Sequence, residues 1–196
     1  MEHIMKGREP LLVIEGGKMY TFEDILALPE GEHAELINGE MFMMASPTRG
    51  HQDAVIWLAT QIFNYISNKK GKCRVYASGF AVFPKKDNIN YVEPDVTVVC
   101  DRDKLDKRGC NGAPEWAIEV VSPSSIKMDY ERKKKLYQES GVEEYWIVNL
   151  EKEQVKAYRF SEDDQGREYS FEDTVKVGIY DDLEFDLRML KEYLEG

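Results

Sequence analysis

EWAIEVV, Glu115 to Val121, reads as a buried strand broken by one acid, Glu119, and YVEPDVTVVC, Tyr91 to Cys100, has the same character around Asp95. Short runs of β-branched and aromatic residues favour pleated, buried strands. A carboxylate set in such a run costs several kcal/mol of desolvation unless a cation or hydrogen-bond donors compensate. Two such needs in neighbouring runs point to a divalent metal site. Glu119 shares strand parity with Ala117 and Val121, while Ile118 and Val120 face the other way, so the face that bears Glu119 is not a solvated one.

Working outward from Glu119, a Ser-Pro-Ser-Ser stop (Ser122 to Ser125) precedes a predicted helix from Lys127 to Glu139, closed by Gly141 in a left-handed cap. Asp129, Lys133 and Tyr137 recur at i,i+4 and fall on one stripe of it, able to look back at the strand end. Each of these residues also has a plain reading. Asp95 can be a strand-entry residue after Pro94 hydrogen-bonded to a turn, Glu119 half of a buried ion pair with a helix lysine, and Lys133 part of a solvated cationic helix face.

Before Asp95, Thr21 and Asp24 resemble a capping box for a short helix ending at Pro29, and Asn38-Gly39 joins Ala34–Ile37 to Met41–Met44 as a hairpin with Glu35 on its first strand. Apolar residues at helical spacing from Gly50 to Asn68 (Ala54, Val55, Leu58, Ile62, Tyr65, Ile66) mark a long core-facing helix, with His51 near its start as a substrate contact or a helix cap. Further strands are expected at Cys73–Ala77, Phe80–Phe83, Val96–Cys100 and Trp116–Val121, with Asp101 to Asn111 a charged loop. After the strong strand EYWIVN, alternation from Val155 to Phe160 turns at Gln165-Gly166 and resumes toward Val175 and Val177, and an amphipathic helix, Leu187 to Leu194, follows.

With 196 residues and 42% hydrophobic content, one core and one domain, 1–196, are expected. The net charge of −11 argues against broad, sequence-independent adhesion to nucleic acid or anionic membrane, although lysines and arginines cluster locally around residues 69–74, 85–86 and 132–135. Cys73, Cys100 and Cys110 form an odd set without a CxxC pair, and a reducing cytoplasm is the expected compartment. The apolar stretch Leu11 to Ile14 is too short for a signal-peptide core or a membrane span, so no membrane association is expected.

The blocks AELINGE (Ala34 to Glu40), SPTRGH (Ser46 to His51), EPDVTVV (Glu93 to Val99), EWAIEVVSPSS (Glu115 to Ser125) and DYERKKKLYQESGVEEYWIV (Asp129 to Val148) resemble, in order and spacing, the Uma-two family, assigned to endonucleases of the PD-(D/E)XK restriction-endonuclease-like superfamily. The resemblance implies an α/β (mixed α+β) fold: a restriction-endonuclease-like core with a central mixed sheet flanked by helices, an N-terminal hairpin and C-terminal antiparallel strands. It implies that Pro94-Asp95 is the "PD" and Glu119 the second acid. The lysine expected two residues later is replaced by Val121, and the resemblance implies that Lys133 takes its role from the next helix, with Lys134 and Lys135 as neighbours that fit the DxxxKxxxY spacing less well.

Phosphodiester hydrolysis needs a hard cation, an activated water and a fixed positive donor. Asp95, Glu119 and the Val120 carbonyl are the expected ligands of one Mg²⁺, with Mn²⁺ as substitute, and Lys133 is expected to orient or help deprotonate the water. Glu35, His51, Asp129 and Tyr137 are expected in support, Glu35 reaching the metal through a water. The expected function is therefore a Mg²⁺-dependent DNA endonuclease acting as a homodimer, with the hairpin edge EMFMMA (Glu40 to Ala45) a candidate surface for self-association. The alternatives are an inactive nuclease-fold module that binds nucleic acid or protein, and a structural homo-oligomer with buried ion pairs.

Overall fold

Asn38 and Gly39 take left-handed backbone angles (φ 51° and 77°), the geometry that closes a tight hairpin between β1 (Ala34–Ile37) and β2 (Glu40–Met43). The computed structural model describes residues 18–196, so the stretch Leu11 to Ile14 lies outside it. A short helix, α1 (Phe22–Leu26), precedes the hairpin, and the Thr21 N–H donates to Asp24 Oδ2 at 2.9 Å as the capping pattern predicts. Met41 and Phe42 of β2 are buried against other parts of the chain, while Met44 just beyond it is 40% exposed, so only part of EMFMMA lies at the surface.

The central sheet is built from β3 (Arg74–Ala77), β5 (Val96–Val99), β7 (Trp116–Val121), β8 (Glu144–Asn149), β9 (Gln154–Arg159) and β10 (Asp163–Ser170), in the spatial order β10-β9-β8-β7-β5-β3. Only the β7–β8 pair is parallel, joined by a helical crossover, which makes the sheet mixed. Along β7, parity sorts the side chains as predicted. Trp116, Ile118 and Val120 share an apolar cluster with residues of α2 (Arg49–Asn68) and α4 (Leu187–Glu195), whereas Ala117 and Val121 pack with Leu136 and Tyr137 of α3 (Lys134–Ser140). Helices thus cover both faces, and β3 is an open edge. No helix among the described residues is long and apolar enough to cross a membrane.

Several local expectations are corrected. The chain reverses between β9 and β10 just after Arg159, not at Gln165-Gly166, which lies inside β10 where the register slips. Gly166 (φ 72°) is there for close approach, since a Cβ on it would stand 2.6 Å from the Tyr158 ring. Val175 belongs to β11 (Thr174–Lys176), which pairs with β12 (Glu184–Asp186) as a separate ribbon. The strand expected over 80–83 shortens to β4 (Val82–Phe83), and the charged 101–111 stretch supplies its parallel partner, β6 (Cys110–Asn111), after one 3₁₀ turn, Arg102–Lys104. Cys73 and Cys100 are disulfide-bonded, a pairing absent from the sequence reading. It follows from register, because Arg74 pairs with Val99 and the next step brings Cys73 opposite Cys100.

Candidate active site

The helix after β7 opens as a π-helical turn, Met128–Lys133, before α3 continues it. A π turn widens the spacing of side chains and often marks a functional site. Here it carries Asp129 and Lys133 into the molecule, with Tyr137 one turn on, and all three are buried beneath the strand that holds Glu119. Lys133 Nζ lies 3.0 Å from Glu119 Oε1, 2.8 Å from Glu35 Oε1 and 4.0 Å from Asp129 Oδ1. The solvated-face reading of Lys133 is excluded, because its side chain is only 5% exposed.

Glu119 Oε1 also accepts a hydrogen bond from the Tyr137 hydroxyl at 2.8 Å, and Oε2 accepts none among the described residues. Glu35, on the first hairpin strand, is buried; its Oε1 accepts the Glu93 N–H at 2.9 Å and lies 2.8 Å from Lys133 Nζ, which ties the hairpin to that helix. Asp129 Oδ2 accepts the Ser125 hydroxyl at 2.6 Å.

Asp95 does not interrupt β5; it sits just before it, after Pro94, as a partly exposed residue. Its Oδ1 accepts the Ser78 hydroxyl at 3.1 Å and its Oδ2 the Val120 N–H at 2.8 Å, while His51 Nε2 stands 3.1 Å from Oδ2. The strand-entry description of Asp95 is therefore correct, and it coexists with closeness to the Glu119 segment through Val120. His51 reaches Asp95 from the first turn of α2, where its backbone N–H also donates to Thr48 Oγ1 at 3.2 Å. Its buried Nδ1 has no hydrogen-bond partner among the described residues.

A family profile described as "Uma2: Putative restriction endonuclease" matches residues 22–189. The chain belongs to the Uma2 family. It is 26% identical over 134 residues to the "Uncharacterized protein slr1290" of Synechocystis sp., covering 67% of this chain and 68% of that one. Its fold is that of a protein from Anabaena variabilis described as a "putative nuclease belonging to DUF820", with a TM-score of 0.71 at 19% identity over 89% of this chain and 98% of that one.

Electrostatics of this Uma2 site are dominated by surplus negative charge. Burial raises the Glu119 pKa well above 4.5, and Asp129, Asp95 and Glu35 add to the rise against the opposing pull of Lys133. Burial likewise lifts Asp129 to about 6, against Lys133 and the Ser125 hydrogen bond. Burial alone would lower the Lys133 pKa, yet Glu119, Glu35 and Asp129 outweigh it and hold the ammonium well above 10.5. Burial works against charge on His51 too, but the hydrogen bond and charge of Asp95, with the Val120 carbonyl, raise its pKa above 6.5. Four acidic side chains (Glu35, Asp95, Glu119, Asp129) thus gather around Lys133 and His51.

A divalent cation would favour the ionised forms of these acids, and the oxygen donors of Asp95, Glu119 and the Val120 carbonyl have the hard chemistry Mg²⁺ takes. Among the described residues no three His, Cys, Asp or Glu side chains close around one point. An ion held there would have few protein ligands and would keep several waters.

Sequence reading missed Ser78 and Ser125. The Ser125 spacing to Asp129 is i,i+4 and was readable as a contact, whereas Ser78 meets Asp95 through pairing of β3 with β5, which leaves no local signal.

Proposed function

We propose that this Uma2 protein is a Mg²⁺-dependent endonuclease that hydrolyses DNA phosphodiester bonds, with Mn²⁺ as a substitute ion. The observation that supports the reading is the buried Lys133–Glu119 contact at 3.0 Å, beside a segment whose Val120 N–H holds Asp95. When bound, the ion supplies Lewis-acid stabilisation of the phosphoryl oxygens and a water of lowered pKa. Asp95, Glu119 and the Val120 carbonyl are the groups that would hold it.

Lys133 and Tyr137 both fix Glu119 Oε1, which leaves Oε2 without a hydrogen bond among the described residues. Its acidic neighbours favour the charged form of Lys133, which suits it to orient the water and present positive charge to the phosphate. Glu35 and Asp129 position that ammonium, and Ser78 and His51 position Asp95.

A second reading is a nuclease-fold module that binds nucleic acid or protein without cleaving. The observation that favours it is the engagement of Lys133 by two carboxylates at 2.8 and 3.0 Å, with apolar, buried Val121 where a lysine is expected. Nicking of supercoiled plasmid with Mg²⁺ or Mn²⁺ separates the two. Glu119→Gln and Lys133→Met should each abolish nicking in folded protein, and nicking that survives both substitutions would reject the assignment.

A further inference from the structure

Tyr76 and Phe80 lie parallel, their ring planes 4° apart and centroids 3.8 Å apart, forming a flat aromatic slab at the open edge strand β3. The slab is on the Glu119 face of the sheet. Tyr76 pairs with Thr97 and Thr97 with Ala117, and both rings pack against the cluster that contains Ala117, Val121 and Tyr137. Ser78, two residues beyond Tyr76, donates to Asp95, so the slab sits about 7 Å along the strand from the Asp95 contact. Ala77, Ser78 and Gly79 between the rings are exposed, and Gly79 (φ 84°) has open space around it.

Charge sharpens the meaning of this placement. Proteins that bind by neutralising phosphates use rows of lysine and arginine, whereas this chain carries −11 and gathers four carboxylates at the site. Two cations of the adjoining helix are already engaged, Lys133 by Glu35 and Glu119 and Arg132 by Glu40 at 2.7 Å. Base stacking on an aromatic face would add affinity that does not depend on phosphate neutralisation and tolerates any sequence.

We propose that the Tyr76–Phe80 pair is a stacking platform for an unpaired base next to the phosphate at Asp95, which makes the substrate a single-stranded or locally opened nucleic acid in preference to closed duplex. The inference rests on the nuclease reading above. A base inside a duplex is stacked on its neighbours and presents no free face, so only an unpaired nucleotide reaches the slab.

The test is binding, in EDTA, of a single-stranded oligonucleotide containing 2-aminopurine and of the same oligonucleotide in duplex, read by fluorescence quenching and followed by plasmid nicking with Mg²⁺. The single strand should bind at least about tenfold tighter. Phe80→Ala should lose about tenfold in that affinity together with the quenching, and Phe80→Trp should restore both. Phe80→Leu preserves apolar packing, so an equal loss there assigns the effect to stacking and not to folding. Duplex bound as tightly as single strand, or wild-type affinity in Phe80→Ala and Phe80→Leu, overturns the platform while nicking by the wild type upholds the nuclease reading. Neither binding nor nicking by the wild-type protein rejects both.

Discussion

Lys133 Nζ lies 2.8 Å from Glu35 Oε1, an ion pair that joins the N-terminal hairpin to the helix beyond β7 across ninety-eight residues (133 − 35). Both side chains are only 5% exposed, so the pair is part of the folded core as well as of the site. Replacing Lys133 by Met leaves Glu35 and Glu119 buried without their cation. A loss of about 3–5 kcal/mol is expected in urea unfolding at neutral pH, shrinking at acid pH as the carboxylates protonate. Equal loss at both pH values would show that the ammonium matters for packing alone.

Asp129 gives stability a pH dependence of a definite sign. Its folded-state pKa, about 6, is above its ordinary 3.8, so the folded protein binds more protons than the unfolded chain between those values. Through this group, stability rises as pH falls through about 6 and has its full gain near 3.8, a contribution of about 1–3 kcal/mol. Thermal melts across pH 4–7 in wild type and Asp129→Asn, at fixed ionic strength, isolate the effect. Asp129→Asn should flatten that part of the profile, and an unchanged slope would assign it elsewhere.

Mg²⁺ or Mn²⁺ should raise the melting temperature of the wild-type protein by mass action, about 2.7 kcal/mol at a concentration one hundred times Kd. Asp95→Asn and Glu119→Gln should each remove most of that shift. A shift retained in both variants would locate the ion elsewhere.

On the proposed function, a divalent ion at Asp95 would compete with His51, whose Nε2 stands 3.1 Å from Oδ2 and whose pKa that carboxylate pushes above its usual 6.5. Mn²⁺ affinity should increase as pH rises through the His51 pKa, and His51→Ala should weaken that dependence. Calorimetric titration at pH 6 and pH 8 reads both, and identical pH profiles in the two proteins would count against competition.

Gly166→Ala places a methyl group 2.6 Å from the Tyr158 ring at φ 72°, combining a steric clash with an unfavourable backbone region. It should cost about 1–3 kcal/mol in chemical unfolding. A neutral result would show that the bulge in β10 relaxes without resistance.

Local periodicity carried much of the fold. The alternation of EWAIEVV predicts β7 with Glu119 on the Ala117 face, helical spacing predicts α2, and Asn38-Gly39 predicts the hairpin turn. Each depends on the geometry of one short backbone segment, which neighbouring residues largely determine. The same local logic failed at Gln165-Gly166, where a glycine serving a side-chain approach was read as a turn.

The sequence by itself determined which strand bears Glu119 and which helix stripe carries Asp129, Lys133 and Tyr137. Only the tertiary structure decided that Glu35 is buried against Lys133, that His51 and Ser78 hold Asp95, and that Cys73 meets Cys100. Those meetings depend on strand order and register between segments far apart in the chain, where the energy comes from packing and charge compensation that no single window of residues contains.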